Sequence, residues 1–282
     1  MSRLAISNIA WPPDQRRPAL ALLAELGVGG LEVAPGLLFP GEVDPFAPSE
    51  AVLRATLGEV EAHGLTFVSM QSLHFAAPDA ALFGEPEARR RFADTIARAI
   101  DLAARLGLPN LVVGSPRNRV VPEDMPAATA RRIALDVFRA LGDQAATRGC
   151  RLALEPNPRD YGTNFLNLTS EVRDFVREAD HPAVALNFDI GALSLNGEAE
   201  ADAALFASAR DLVSHVHLSR PHLAAVEAED GSVGRALAML DEAGWRSWVS
   251  IEMRAAAPDP LAAVRHAISS CLSRMGAPSH AR

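Results

Sequence analysis

The chain has 282 residues, a formal net charge of -8 and 49% hydrophobic residues. This size and composition predict a globular protein with a substantial core, and the acidic charge argues against nucleic acid as a partner because duplex binding needs a basic surface. All 27 basic residues are arginine, so a lysine Schiff base and a P-loop lysine are excluded.

Cysteine usage and hydropathy narrow the class of protein further. Cys150 and Cys271 are far apart and have neither the spacing of a metal site nor that of a disulfide framework. No apolar stretch is long enough to cross a bilayer, and the first residues run into an apolar segment without a signal-peptide pattern. We therefore expect a cytoplasmic protein with no membrane partner.

Eight short apolar runs follow one another along the chain, separated by amphipathic segments. Each run is too short for a helix and almost continuously apolar, as is typical of a parallel strand covered on both faces. The predicted strands are residues 4–9, 30–34, 65–70, 110–114, 151–155, 183–189, 212–218 and 248–253.

The segments between the runs have helical periodicity, for example at 17–26, 88–106, 127–147, 168–178 and 233–243. Several end in a glycine of the kind that terminates a helix in the left-handed conformation, namely Gly27, Gly64, Gly107, Gly149 and Gly244. Eight βα units without a linker predict an α/β fold, a single-domain (β/α)8 TIM barrel over residues 1–282, with about the last eight residues as a flexible tail. A dinucleotide-binding sheet is disfavoured because G-x-G-x-x-G is missing after the first strand.

Four consecutive predicted units, the fifth to the eighth, end in Glu155, Asp189, His217 and Glu252. Working residues of such barrels lie where the strands end, so these side chains are expected to converge. Three carboxylates in one mouth repel each other, and a divalent cation relieves that repulsion. An oxygen-rich set with one imidazole favours Mn²⁺, with Mg²⁺, Co²⁺ or Zn²⁺ as alternatives.

Two alternatives remain open for this set. Taken singly, each of the four residues is equally well explained as an ordinary strand-end carboxylate or a satisfied histidine. His215 points to the same side of its strand as His217 and could replace it as a ligand. His217 is preferred because it is nearer the C-terminal end, which leaves His215 as a packed neighbour.

Polar side chains after other strands are candidates for substrate binding. Glu32 after the second strand, and Gln71 and His74 after the third, could hydrogen-bond a polyol. A structural role is an equal alternative for Glu32. Two arginines follow the fourth strand, and a guanidinium suits an anionic group, so we expect one of them to bind substrate. Tyr161 is interpreted first as a residue that shapes the mouth. The predicted substrate-binding residues are Glu32, Gln71, His74, Arg117, Arg119, Asn164 and Arg220.

The ordered segments 153–158 (ALEPNP), 187–191 (NFDIG), 215–218 (HVHL) and 250–253 (SIEM) resemble the xylose isomerase-like barrel superfamily. That superfamily contains sugar phosphate isomerases and epimerases and the related AP endonuclease family 2. The resemblance implies that Glu155, Asp189, His217 and Glu252 hold the metal and that the two glutamates exchange protons with the substrate. A histidine often follows the aspartate by three residues in this superfamily, but here the position is Ala192, which counts against phosphodiester cleavage.

These observations predict an enzyme, a metal-dependent isomerase or epimerase of a keto sugar, sugar phosphate or related polyhydroxy carbonyl compound. Glu155 and Glu252 are its predicted catalytic acid/bases, acting through a metal-stabilised enediolate. One alternative is a lyase or dehydratase acting on a keto sugar or keto-glycoside, and another is a non-catalytic barrel subunit or binding protein. The expected partner is a small carbohydrate, and a homo-oligomer is left open.

Overall fold

The computed structural model describes residues 3–227 and 231–275. Residues 276–282, which make up most of the predicted tail, lie outside the described residues. Eight parallel strands pair in sequence order and close into a barrel, because β1 pairs with both β2 and β8. The strands are β1 (Arg3–Ser7), β2 (Gly30–Val33), β3 (Thr66–Met70), β4 (Asn110–Val113), β5 (Arg151–Leu154), β6 (Val184–Asp189), β7 (Val213–Ser219) and β8 (Trp248–Glu252). The predicted (β/α)8 barrel is confirmed.

Helices surround the barrel, and all five predicted helical segments coincide with helices of the structure to within two residues at either end. The five predicted terminal glycines all have positive φ, as the left-handed cap requires. The helices of the described residues are α1 (Arg16–Glu25), α2 (Pro35–Leu38), α3 (Glu50–Ala62), α4 (Pro86–Leu106), α5 (Ala127–Thr147), α6 (Thr169–Ala179), α7 (Ile190–Leu195), α8 (Asp202–Ala209), α9 (Gly231–Glu242) and α10 (Pro260–Met275).

The apolar core lies between the strands and the helices, where aromatic rings from neighbouring helices meet edge to face. Phe138 of α5 contacts Phe92 of α4 on one side and Phe175 of α6 on the other, and all three rings are fully buried. Such contacts fix the helices on the barrel and so fix the strand ends that carry the site. Within the described ranges, no helix combines the length and the hydropathy needed to cross a bilayer.

Buried polar side chains, rather than the usual branched apolar residues, line part of the barrel between its base and its mouth. Ser214 donates to Oδ1 of Asn110 at 2.8 Å, and Asn110 donates to Oγ of Ser69 at 3.0 Å. Ser69 in turn lies opposite Glu32 in the pairing of β2 with β3. Buried polar groups require such partners, so this chain of hydrogen bonds fixes the side chains that lie beneath the mouth.

Candidate metal centre

The four donors that end the last four predicted strands meet at the C-terminal mouth of the barrel. Asp189 and Glu252 are the last residues of β6 and β8, Glu155 follows β5 by one residue, and His217 lies within β7. One ligand atom from each residue lies within 4.8 Å of the others. All but Glu155 are buried. The fold therefore brings the four side chains to one place.

The Nδ1 atom of His217 faces the three carboxylates of this cluster. It lies 3.0 Å from Oε1 of Glu155, 3.2 Å from Oε2 of Glu252 and 3.6 Å from Oδ2 of Asp189. None of these three contacts has the geometry of a hydrogen bond, and the nitrogen is shielded from solvent. A cation among the oxygens would accept the lone pair of this nitrogen and neutralise the charge of the carboxylates. The donor set therefore fits a divalent metal ion.

Glu32 lies beneath His217, on the opposite side of the imidazole ring. Its Oε1 is 3.1 Å from Nε2 of His217 and 3.6 Å from Nε2 of His215, whose ring is paired with Ser250 at 2.8 Å. A carboxylate at this point accepts a hydrogen bond from Nε2–H and leaves the Nδ1 lone pair directed at the cluster. These contacts are those of a residue that orients a ligand, and the predicted substrate contact of Glu32 stays a prediction.

Burial and neighbouring charges determine which groups of the cluster hold protons. Burial raises the pKa of Glu252 to about 7 and also raises the pKa of Asp189, although the imidazole of His217 opposes both shifts. Burial disfavours the imidazolium form of His217, but the carboxylates of Glu32 and Glu252 hold its pKa well above the usual value. Without a cation the cluster therefore retains protons that a metal ion would have to displace.

Asp189 is held by both its helix and the neighbouring strand. Its Oδ1 accepts the backbone N–H of Ala192 and so caps the N-terminus of α7. The hydroxyl of Ser219 lies 3.0 and 2.9 Å from the two carboxylate oxygens, and it accepts the N–H of Gly191 at 2.9 Å. A Cβ on residue 191 would lie 2.5 Å from that hydroxyl oxygen, so this approach requires glycine.

Glu155 is positioned by amides and by the loop after β4. Asn187 donates to its Oε1 at 2.8 Å, Asn157 donates to its Oε2 at 3.1 Å, and Arg119 donates to its backbone carbonyl at 3.0 Å. Oε2 also lies over the backbone of Gly114, where a Cβ atom would be only 2.6 Å away. Glycine at this position therefore makes room for the carboxylate.

Gly114→Ala is expected to weaken metal binding by about 10- to 100-fold, the range typical of losing support around a ligand, because the new methyl group displaces Glu155. Calorimetric titration with Mn²⁺ measures this change. Gly58→Ala is the matched control, since its Cβ meets nothing within 4 Å on helix α3. Equal Mn²⁺ affinity in the Gly114 variant and the wild type would show that the methyl group does not displace Glu155 from the metal.

Gln71 and His74, predicted to bind substrate, are buried and already paired. Gln71 donates to Oγ of Ser7 at 2.7 Å. The two ring nitrogens of His74 lie 3.1 Å from Oγ of Ser115 and 3.1 Å from the carbonyl of Phe92, on whose ring the imidazole stacks. Burial lowers the pKa of His74 to about 4, so it is neutral at pH 7. Substrate contacts by Gln71 and His74 stay predictions, and their present contacts tie the mouth loops to the barrel.

The remaining predicted substrate-binding residues lie at different distances from the cluster. Arg119 is fully buried against the backbone of Glu155, whereas Arg117 is exposed. Asn164 is exposed, and its amide pairs with both backbone groups of Val121 in the loop after β4. Arg220 donates to the carbonyl of Ala225 at 2.7 Å. The structure thus brings Arg119 next to the ligands and places Asn164 in a bridge between two loops.

Three residues that support the ligands were not singled out from the sequence, namely Asn157, Asn187 and Ser219. Asn157 and Asn187 lie two residues from Glu155 and Asp189. That spacing puts Asn187 on the same side of β6 as Asp189, which is a signal that the sequence contained. The contact of Ser219 with Asp189 crosses from one strand to the next, and no local pattern reports it.

Fold and site together define an α/β barrel with a candidate metal centre of three carboxylates and one imidazole. The family model described as xylose isomerase-like TIM barrel matches residues 20–274. The chain belongs to this family, which confirms the resemblance inferred from the ordered motifs. No curated protein sequence matches the chain.

Solved structures with the same fold include 3-keto-D-glucoside 4-epimerase from E. coli, at 20% identity and a TM-score of 0.77 over 97% of this chain and 100% of that one. L-ribulose 3-epimerase has 15% identity and a TM-score of 0.78, with 100% of both chains covered. An AP endonuclease of family 2 from Brucella melitensis has 19% identity and a TM-score of 0.71, with 94% of this chain and 97% of that one covered. At these identities the likeness establishes the fold.

Proposed function

We propose that the protein is a divalent-metal-dependent isomerase or epimerase of a keto sugar, sugar phosphate or related polyhydroxy carbonyl compound. The observation that carries the proposal is the buried Nδ1 of His217, which faces the oxygens of Glu155, Asp189 and Glu252 at 3.0 to 3.6 Å without hydrogen-bond geometry. These four residues would hold the ion, and Mn²⁺ suits this mixed oxygen and nitrogen set best. When bound, the metal withdraws charge from a substrate carbonyl and makes the adjacent C–H acidic.

The two glutamates are the proposed acid/base residues. Glu155 and Glu252 come from β5 and β8, which are separated by two strands, so they can reach a substrate from different sides. One removes the proton next to the carbonyl, and the other returns a proton to the opposite face or to the neighbouring carbon. A pKa of about 7 for Glu252, before any metal binds, lies in the range where a carboxyl group can both hold and release a proton.

Other buried groups would hold each metal ligand in a fixed orientation. Glu32 holds Nε2 of His217, so that the imidazole offers Nδ1 to the metal. Ser219 and the N-terminus of α7 hold Asp189, and Asn187 holds Glu155. A ligand held in one orientation loses less freedom when the substrate binds.

A small sugar is the proposed substrate, rather than a nucleic acid. Two of the similar structures are named as epimerases of sugars, and one solved D-psicose 3-epimerase was determined with D-fructose. The net charge of -8 disfavours binding to a polyanion. Ala192 stands where a further histidine could have extended the metal site toward phosphodiester cleavage.

The proposal is tested by incubating the Mn²⁺-loaded protein with D-fructose, D-allulose and L-ribulose in deuterated water. Carbon-bound deuterium in recovered sugar, together with a new epimer or isomer, is the expected result, because the removed proton exchanges with solvent before it is returned. Loss of water or of an aglycone from keto sugars and keto-glycosides would favour the lyase instead. A protein that shows no thermal shift with Mn²⁺ would be the non-catalytic barrel.

A further inference from the structure

Two mouth loops meet at the hydroxyl group of Tyr161, the only tyrosine of the chain. Tyr161 ends the short helical turn Arg159–Tyr161, which follows Glu155 in the loop after β5. Its hydroxyl oxygen accepts the backbone N–H of His222 at 3.0 Å, and the two rings contact edge to face at 5.8 Å. His222 lies in the turn Pro221–Leu223 after β7, the strand that carries His217.

The backbone at this junction is held in an unusual conformation. His222 and Leu223 have φ values of 58° and 57°, so two successive residues that are not glycine lie in the left-handed region. Such conformations persist only where the surroundings enforce them, and they are concentrated at functional sites. Here the conformation presents the N–H of His222 to the tyrosine oxygen.

The direction of this hydrogen bond leaves the tyrosine proton available. Because the oxygen accepts from His222, the O–H remains free to donate, and within residues 3–227 and 231–275 it donates to no protein group, while the exposed position of this contact leaves it open to a ligand or to water. The phenol thus lies between the loop that follows Glu155 and the loop that follows the strand of His217. Burial raises its pKa to about 12 against the opposing effect of the His222 N–H, and the negative charges of Asp189, Glu252 and Glu155 add to the rise, so the phenol stays protonated as a donor.

We propose that Tyr161 is a substrate-binding residue of the site, donating its O–H to an oxygen of the sugar held between the loops after β5 and β7. The inference rests on the proposed function. It adds that the site prefers substrates with an acceptor oxygen placed between the loops after β5 and β7. A neutral phenol donates to a carbonyl or alkoxide oxygen without adding charge to a mouth that already contains three carboxylates. The backbone of His222 positions the phenol, and its side chain is not required for that hydrogen bond.

Tyr161→Phe tests this role, because it removes the hydroxyl and retains the ring that packs on His222. Mn²⁺ affinity should equal that of the wild type, since Tyr161 is not among the proposed ligands. Turnover per unit substrate concentration (kcat/KM) for whichever of D-fructose, D-allulose or L-ribulose reacts should fall by about 10- to 100-fold, as expected for loss of a hydrogen bond to a reacting or charged oxygen. Wild-type kcat/KM in this variant would overturn the inference.

Asp160→Asn is the matched control, because Asp160 is the exposed neighbour of Tyr161 in the same turn and the change keeps the size of the side chain. This variant should keep kcat/KM within about twofold of the wild type, since surface changes away from binding contacts have small effects. A loss as large as that of Tyr161→Phe would show that any change in this turn lowers activity, whether or not the hydroxyl is present, and would overturn the inference. If the wild type exchanges no deuterium into any of the three sugars, the proposed function fails first and the role of Tyr161 falls with it. Exchange by the wild type and equally by Tyr161→Phe refutes Tyr161 alone.

Discussion

Glu252→Gln and Glu155→Gln are each expected to lower the rate of epimer or isomer formation by more than about 100-fold, the range typical of losing a general acid or base. An amide neither accepts nor returns the proton next to the carbonyl. It does keep an oxygen that can face a metal ion, so the rate of the chemical step should fall by more than the metal affinity. Rates are measured at Mn²⁺ concentrations that saturate each variant, with bound metal quantified in parallel.

The two variants should also differ from each other in where deuterium enters the sugar. If each glutamate serves one face of the substrate, the variant that retains Glu155 exchanges the proton of one epimer, and the variant that retains Glu252 exchanges that of the other. Neither variant interconverts the epimers. Glu61→Gln, on the exposed face of α3, is the control and should behave as the wild type. Near-normal conversion by either site variant would reject the two-base mechanism.

The fold and the convergence of the four donors could be predicted from the sequence for one physical reason. In a parallel barrel all strands point the same way, so a polar residue at the end of any strand is brought to the same mouth, however far apart the residues are in sequence. Glu155 and Glu252 are separated by almost 100 positions, yet each can be placed by counting βα units alone. The position of a residue at the end of a strand is therefore enough to predict that its side chain reaches the mouth.

The partners of the supporting side chains could not be predicted in this way, because they depend on rotamers and on contacts across the barrel. Glu32 follows from the sequence as a mouth residue, but its contact with Nε2 of His217 spans 185 positions. The loop positions of His74 and Asn164 predict substrate contacts, which stay predictions, but they do not predict the contacts of their polar atoms with Phe92, Ser115 and Val121. Loop geometry decides such pairings, and loop sequences constrain it weakly.

Metal affinity is expected to rise with pH between about pH 5 and 8, since protons and the cation compete for the same atoms. Burial raises the pKa of Glu252 to about 7, and the surrounding carboxylates, against the effect of burial, keep His217 protonated above its usual range. Below these pKa values the metal must displace protons, so affinity falls as pH falls. Each displaced proton contributes about a tenfold change per pH unit, and the dependence levels off once both groups have lost their protons.

Calorimetric titration of Mn²⁺ in buffers with different ionisation enthalpies counts the protons released at each pH. Near pH 6 the wild type should release about one more proton than Glu252→Gln, whose amide has none to lose in this range, so the slope of log affinity against pH should be smaller in the variant. The difference reports the proton of Glu252 together with a lower pKa of His217 in the variant, because the Glu252 carboxylate helps to keep that imidazole protonated. Affinity that is the same at pH 5.5 and pH 8 would mean that the ion does not bind at Nδ1 of His217 and Glu252, and the candidate metal centre would have to be assigned to other atoms.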